Sequence, residues 1–91
     1  MAALDLLGRR WALRVLWELR TGPAGPRALL ARCDGLSSSV LYERLRELEA
    51  SGLLRRDPGG SYELTGLGSE LGDAIAPLDR WATRWATTTG G

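Results

Sequence analysis

The sequence predicts a mainly α-helical fold with a small β-hairpin. Three observations lead to this expectation. Apolar residues recur at steps of three and four in several segments, as they do on one face of an α-helix. Turns rich in glycine and proline separate these segments, and two short extended runs flank the letters DPGG. The 91 residues suffice for one domain with little stability to spare, so we expect help from a partner copy.

Two helices are expected in the first twenty residues. Leu4 and Leu7 belong to a short first helix, and Gly8 separates it from a second helix that runs from about Arg10 to Arg20. The letters TGPAGP then form a turn, because proline and glycine end a helix. A short helix from Arg27 to about Cys33 follows this turn.

The next predicted helix has clear signals at both ends. Ser37 can cap its N-terminus, since a serine hydroxyl accepts a hydrogen bond from a free amide of the first turn. The helix extends to about Ala50, and Gly52 provides the C-terminal cap. Its apolar stripe consists of Val40, Leu41, Leu45 and Leu48.

A β-hairpin is expected after this helix. The extended runs Leu53–Arg56 and Ser61–Leu64 flank turn residues Asp57–Gly60. Two short helices joined by a glycine-bearing turn, followed by such a hairpin, are the elements of a helix-turn-helix with a two-stranded wing. We therefore expect one winged helix-turn-helix domain over residues 1–91.

A last helix begins after Thr65, which can cap it. Pro77 lies inside its pattern, where proline costs about 3 kcal/mol or forces a kink. Residues 87–91 are expected to form a disordered tail. The apolar stripe of this helix consists of Leu67, Leu71, Ile75, Leu78, Trp81 and Trp85.

The composition argues against several classes of protein. The chain has no histidine, which removes the usual general base and the usual metal ligand, so we expect no enzymatic activity, no metal and no cofactor. No apolar run approaches the roughly 18 residues that a membrane span needs, and no leader pattern appears. The single cysteine, Cys33, fits a reducing compartment. We expect a soluble cytoplasmic protein.

All twelve basic residues are arginine. The guanidinium fork suits phosphate and guanine, although codon usage in a GC-rich genome is the simpler explanation. The net charge of +1 argues against strong nonspecific binding to polyanions. Any contact with nucleic acid is therefore expected to come from a local basic patch.

Three segments of the chain are similar to those of a known family. They read LGRRWALRVLWELRTGP, LSSSVLYERLRELEASGLLRR and YELTGLGSEL, the last followed by Trp81. Together they resemble the HxlR-type winged helix-turn-helix regulators, bacterial relatives of the MarR group, over residues from Leu4 to about Ala86. The resemblance implies a homodimeric DNA-binding regulator, more often a repressor, that occupies a palindromic operator.

The resemblance also implies two sets of site residues. A recognition helix at about residues 37–50 would enter the major groove of double-stranded DNA. The implied DNA-binding residues are Ser37, Ser38, Ser39, Tyr42, Arg44, Arg46, Arg55 and Arg56. The implied dimer interface, formed by the first and last helices, contains Leu4, Leu7, Trp11, Leu78, Trp81 and Trp85.

This sequence departs from the family pattern at three places. The hairpin turns after about four residues, whereas the family usually has a longer wing, which weakens the case for a minor-groove contact. A basic residue often found near the third serine is absent, and the acid Glu43 lowers the expected affinity for DNA. No cysteine precedes the first tryptophan, where some members carry a redox sensor.

Several residues allow two interpretations. Tyr42 could pack at the core edge or contact a thymine methyl and a phosphate. Glu43 could accept a hydrogen bond from cytosine or pair with Arg46 one turn along, and we favour the pair. Cys33 could be a small hydrophobic residue or a thiol switch, which would need an intermolecular partner or a low-molecular-weight thiol.

The four tryptophans allow two roles, a dimer interface or a ligand pocket. They lie near the two ends of the chain, where they could form a dimer interface or line a pocket for a small aromatic ligand between protomers. The alternative function is therefore a winged-helix module that binds protein or a small aromatic ligand, with weak or no DNA binding.

Overall fold

The computed structural model describes residues 8–89 and contains four helices and one hairpin. The mainly α fold with a small β-hairpin that the sequence predicts is confirmed. Leu4, Leu7 and the predicted first helix lie outside the described residues. The helices are α1 (Ala12–Glu18), α2 (Pro26–Arg32), α3 (Ser38–Ala50) and α4 (Gly66–Thr89), and the strands are β1 (Leu54–Arg56) and β2 (Tyr62–Leu64).

The core lies between α1, α2, α3 and the base of the hairpin. Leu41, Leu45 and Leu48 give α3 a fully buried stripe, whereas Val40 is only partly buried. Burying one leucine stabilises the fold by about 1.5–3 kcal/mol, so this stripe fixes how α3 lies on the domain. The remaining core residues are Val15, Leu16, Leu19, Ala24, Leu29, Cys33, Leu36, Leu54 and Tyr62.

Helix α1 is shorter than the predicted helix from Arg10 to Arg20. Trp11 precedes the helix and has a left-handed backbone conformation (φ +76°). Because this conformation is not that of an α-helix, the helix begins only at Ala12. The Ala12 amide instead closes a turn by donating to the Arg9 carbonyl at 3.1 Å. The prediction was wrong here because the apolar spacing at Trp11 does not reveal the backbone angle.

Both predicted caps of α3 are confirmed. The Ser37 hydroxyl accepts a hydrogen bond from the Val40 amide at 3.2 Å. Gly52 adopts φ +79°, and its amide donates to the Glu49 carbonyl, while the Leu53 amide donates to the Leu48 carbonyl. These two bonds form a Schellman motif, which closes the helix with its own backbone.

The hairpin pairs β1 with β2 in antiparallel register, with Leu54 opposite Leu64 and Arg56 opposite Tyr62. The Asp57 side chain closes the turn by accepting a hydrogen bond from the Ser61 amide at 3.0 Å. Ala24, in the turn between α1 and α2, exchanges two backbone hydrogen bonds with Tyr62. The wing is thereby joined to the helical part through its second strand.

Helix α4 begins where predicted. The Thr65 hydroxyl accepts from the Gly68 amide at 3.2 Å and donates to the Gly52 carbonyl at 2.6 Å, which links the starts of α4 and the wing. Leu71 and Ile75 pack against the core. Helix α4 continues through Pro77.

The sequence predicts a disordered tail over residues 87–91, whereas α4 continues to Thr89 in the structure. The hydroxyls of Thr87 and Thr88 donate to the carbonyls four residues earlier, at 2.9 and 2.8 Å. Threonine side chains satisfy helical carbonyls in this way, so the threonine run is compatible with a helix. Gly90 and Gly91 lie outside the described residues.

Candidate DNA-binding surface

Helices α2 and α3 form the predicted helix-turn-helix. Proline at the first position of α2 starts that helix, and Leu29 and Cys33 bury its inner side against the core. The connecting turn contains Gly35, whose φ of +88° favours glycine. Leu36 is buried at the end of this turn and precedes the cap of α3. The opposite side of α3 is thereby left facing outward.

The outward face of α3 carries polar side chains at helical spacing. Ser39, Tyr42, Glu43 and Arg46 follow steps of three, four and seven residues from the first of them, and all are exposed. Tyr42 keeps 45% of its surface accessible, so it does not belong to the core edge. Ser38 is exposed in the first turn, where small side chains leave the backbone amides approachable.

Arg46 and Glu43 form no ion pair with each other or with any other described residue, so the favoured pairing of these two side chains was wrong. Both charged groups lie on the outward face. Arg46 can therefore approach a phosphate or a base edge without first losing a partner. Glu43 adds a negative charge beside it, which opposes the approach of a phosphate.

Arg44 does not lie on this face, contrary to the sequence-based prediction. Only 9% of its surface is accessible. Its Nε donates to the Arg10 carbonyl at 2.9 Å, and its Nη1 bonds the Glu47 carboxylate. The physical reason is helical geometry, because position 44 falls between Leu41 and Leu48 on the inner face. Its guanidinium is therefore engaged inside the domain.

Sequence reasoning also missed the residues that hold Arg44 in place. Glu47 accepts Arg44 through one carboxylate oxygen and Arg9 through the other, at 2.8 Å to the Arg9 Nε. The three-residue spacing between Arg44 and Glu47 is a sequence signal for their pairing. No local pattern places Arg9 and Arg10 against α3, since they are more than thirty residues away in the chain.

The two wing arginines are exposed, but both have partners. Arg55 Nε lies 2.7 Å from the Glu63 carboxylate across the hairpin. The Arg56 guanidinium lies 5.7 Å from the centre of the Tyr62 ring, within cation–π range. Glu63 thus compensates the charge of Arg55, which leaves Arg56 as the stronger source of positive potential on β1.

The residues predicted for the dimer interface occupy different environments. Trp11 is partly buried against the core of its own chain, near Gly35. Leu78, Trp81 and Trp85 on α4 keep 50–57% of their surface exposed. The rings of Trp81 and Trp85 stack with centroids 6.0 Å apart and an interplanar angle of 7°. Together Leu78, Trp81 and Trp85 form an outward apolar patch, which we call the α4 patch.

A groove of about 250 Å³ lies between α1 and α4, beside the α4 patch. Most of its surface is apolar, and its lining includes one tryptophan, one arginine and one aspartate. The lining residues are Leu13, Arg14, Trp17, Ile75, Leu78, Asp79 and Ala82.

Cys33 is buried in the core, with 1% of its surface accessible. Burial raises the pKa of the Cys33 thiol above its usual value, and the nearby Arg14 opposes this shift only in part. A raised pKa disfavours the thiolate, which is the reactive form. These properties favour the interpretation of Cys33 as a small core residue over that of a thiol switch.

Within residues 8–89, no group of three or more histidine, cysteine, aspartate or glutamate residues could hold a metal ion. The same part of the chain contains no helix that is both long and apolar enough to cross a bilayer.

Comparison with known proteins agrees with this geometry. The family model described as HxlR-like helix-turn-helix matches residues 6–89. YvaP of Bacillus subtilis (strain 168), an uncharacterized HTH-type transcriptional regulator, is 34% identical over 89 residues, which cover 91% of this chain and 82% of YvaP.

Two solved structures are similar in fold. The crystal structure of quinone-bound YodB from B. subtilis matches with a TM-score of 0.81 and 30% identity, over 91% of this chain and 92% of YodB. A chain from Thermoplasma volcanium GSS1, described as a possible HxlR family transcriptional factor, matches with a TM-score of 0.86 and 25% identity, over 92% and 81% of the two chains. With its winged helix-turn-helix fold, this chain belongs to the HxlR-like helix-turn-helix family, a non-enzymatic family of DNA-binding transcriptional regulators.

Proposed function

We propose that this protein is a homodimeric repressor that binds a palindromic operator through α3. The observation that carries the proposal is the outward face of α3. It joins small hydroxyl side chains at the helix start to the exposed Tyr42 and to Arg46, which has no partner among the described residues. The core leucines and the two caps hold this face in a fixed orientation.

The proposed contacts follow from the properties of each side chain. Ser37, Ser38 and Ser39 let the start of α3 approach a phosphate closely, where first-turn amides attract an anion. Arg46 reaches a phosphate or a base edge, and Tyr42 contacts a thymine methyl. Arg55 and Arg56 on the wing reach the neighbouring backbone, although Arg55 must first leave Glu63. Arg44 has no place in this set.

The proposed dimer uses the α4 patch. Leu78, Trp81 and Trp85 expose apolar surface along one stretch of α4, and apolar surface that is exposed contiguously favours an interface. A two-fold symmetric contact would bring two copies of α3 to successive major grooves, about 34 Å apart. Occupancy of a promoter by such a dimer blocks transcription. Repression is the proposal by analogy with the family.

The test is operator binding by an arginine variant and its control. Arg46→Ala should weaken binding to the gene's own upstream region by about tenfold and reduce the slope of log affinity against log salt by about 1. Arg20→Ala is the matched control, because Arg20 lies over Trp17 beside α4, at 3.4 Å from the ring centre. Equal affinity and slope for both variants would remove Arg46 from the proposed interface.

A second candidate function is the binding of a small planar aromatic molecule in the groove between α1 and α4. The groove itself favours it, and the similar protein YodB has been crystallised with a quinone. A planar quinone should quench tryptophan fluorescence in a saturable manner. Ala82→Leu, which fills the groove, should abolish saturation, whereas the exposed Ala74→Leu should not. Quenching that does not saturate in the wild type would contradict this candidate.

A further inference from the structure

The turn before α1 is joined to the inner face of α3 by a cluster of polar contacts. Arg44 Nε donates to the Arg10 carbonyl at 2.9 Å, and Arg44 Nη1 bonds Glu47 Oε1. Glu47 Oε2 in turn lies 2.8 Å from Arg9 Nε. One carboxylate therefore bridges an arginine of α3 and an arginine of the turn. We call Arg9, Arg10, Arg44 and Glu47 the turn–helix cluster.

The same turn contains an unfavourable backbone conformation. Trp11 has φ +76°, and it is the one residue other than glycine with positive φ among residues 8–89. A bulky residue keeps such an angle only where its surroundings hold it. Here the Trp11 ring packs against the core, and the carbonyl of the preceding residue accepts the bond from Arg44. The bend is thus held from both sides.

Two residues of the turn–helix cluster lie on the same helix as the outward face of α3. Arg44 and Glu47 alternate along α3 with Glu43 and Arg46 on the outward face. A displacement of α3 therefore moves both pairs of residues together. Arg44 is nearly buried, and removing a partner from a buried charge is strongly unfavourable. If the turn moved and α3 stayed in place, the Arg44 guanidinium would lose its hydrogen bond to the Arg10 carbonyl. The turn and α3 are therefore expected to move together.

We propose that Arg44 and Glu47 are positioning residues that couple the turn at residues 9–11 to the recognition helix. This inference rests on the proposed operator binding. By thermodynamic reciprocity, a change in the turn alters operator affinity, and operator binding stabilises the turn. Arg44 and Glu47 act through helix position and do not touch DNA.

The experiment compares Arg44→Met with Arg20→Met. Methionine keeps an apolar stem, and Arg20 is a matched control because its guanidinium also makes a contact within the chain, 3.4 Å from the centre of the Trp17 ring, away from α3. Affinity for the upstream duplex, its salt slope and hydrogen exchange of the Ala12 amide are measured. This amide reports on the turn, since it donates to the Arg9 carbonyl.

In the wild type, operator DNA should slow exchange of the Ala12 amide at least threefold. Arg44→Met should lose about tenfold in affinity with an unchanged salt slope, and its Ala12 amide should no longer respond to DNA. Arg20→Met should behave as the wild type does. If circular dichroism shows that Arg44→Met does not fold, Glu47→Gln replaces it in the same measurements. Glutamine has nearly the same shape as glutamate but lacks its charge.

Three outcomes overturn the inference. Variants that bind with wild-type affinity and keep the DNA response of Ala12 would show that the cluster does not couple the two elements. A shallower salt slope for Arg44→Met would make Arg44 a DNA contact instead. A wild-type chain that binds no upstream duplex would overturn the proposed function itself. This outcome is seen in the wild type alone, whereas failure of the coupling inference is seen only when the variants are compared with a wild type that binds.

Discussion

Gly68 allows helix α4 to approach the chain that leads into the wing. A Cβ atom at this position would lie 2.1 Å from the Leu53 carbonyl oxygen and 3.1 Å from the Leu53 carbonyl carbon. Both neighbours are backbone atoms, so no side-chain rotation relieves the contact. Gly68→Ala must push α4 away from Leu53 by about 1 Å, because Cβ atoms essentially never come within 3.0 Å of another atom.

The expected cost follows from the contacts at this junction. Overpacking costs about 1–3 kcal/mol. The displacement also strains the bonds from the Thr65 amide to the Leu53 carbonyl and from the Gly68 amide to the Thr65 hydroxyl, each worth about 1 kcal/mol. Gly68→Ala should therefore lower the free energy of unfolding by about 3 kcal/mol. For a domain of this size that is a fall in Tm of about 12 °C or more.

Gly72→Ala is the matched control, one turn further along α4. Its Cβ would meet the flexible stem of Arg20 at 3.4–3.5 Å, which is ordinary van der Waals contact. Alanine is favoured over glycine in a helix interior by about 1 kcal/mol, so Gly72→Ala should raise Tm by about 4 °C. Thermal unfolding at one fixed protein concentration measures both variants. Equal Tm values for Gly68→Ala and Gly72→Ala would refute the close approach.

Three further predictions concern single side chains. Glu43→Gln should raise operator affinity severalfold in an anisotropy titration, because it removes a negative charge beside Arg46; unchanged or weaker binding would mean that Glu43 does not repel the phosphates. Thr65→Ala should cost about 1–2 kcal/mol in urea unfolding through the lost cap, and a cost near zero would contradict the capping role. The Cys33 thiol should react with a thiol reagent at pH 7 much more slowly in the folded protein than in denaturant, since burial both shields it and raises its pKa. Because the pKa of the Cys33 thiol is higher in the folded protein than in the unfolded chain, the free energy of unfolding should fall as pH rises above the ordinary thiol pKa.

Local signals in the sequence predicted much of the fold. Ser37 and Gly52 define the two ends of α3 because capping depends on residues within one turn of the helix end. The letters DPGG located the hairpin within one residue at each strand for the same reason. The outward positions Tyr42 and Arg46 followed from leucine spacing, which leaves the other side of the helix to solvent.

The errors lie where distant parts of the chain meet. Arg44 reads as a surface residue in the sequence, because its partner, the Arg10 carbonyl, belongs to a backbone that has no sequence signal of its own. The left-handed angle at Trp11, whose ring packs against the core, and the close approach of Gly68 to Leu53 likewise involve residues that are distant in the chain. Such features depend on tertiary packing, whereas periodicity in the sequence indicates only which side of a helix is buried and not which group it contacts.

Helix α3 separates the residues that hold it from those that face outward. Its caps and leucine stripe lie at Ser37, Leu41, Leu45, Leu48 and Gly52, whereas the outward positions contribute nothing to the core. Substitutions on the outer face can therefore alter which duplex is preferred while the domain keeps its thermal resistance. Regulators with new targets could diverge from this scaffold by a few exchanges on one helical surface, without any compensating change in the interior.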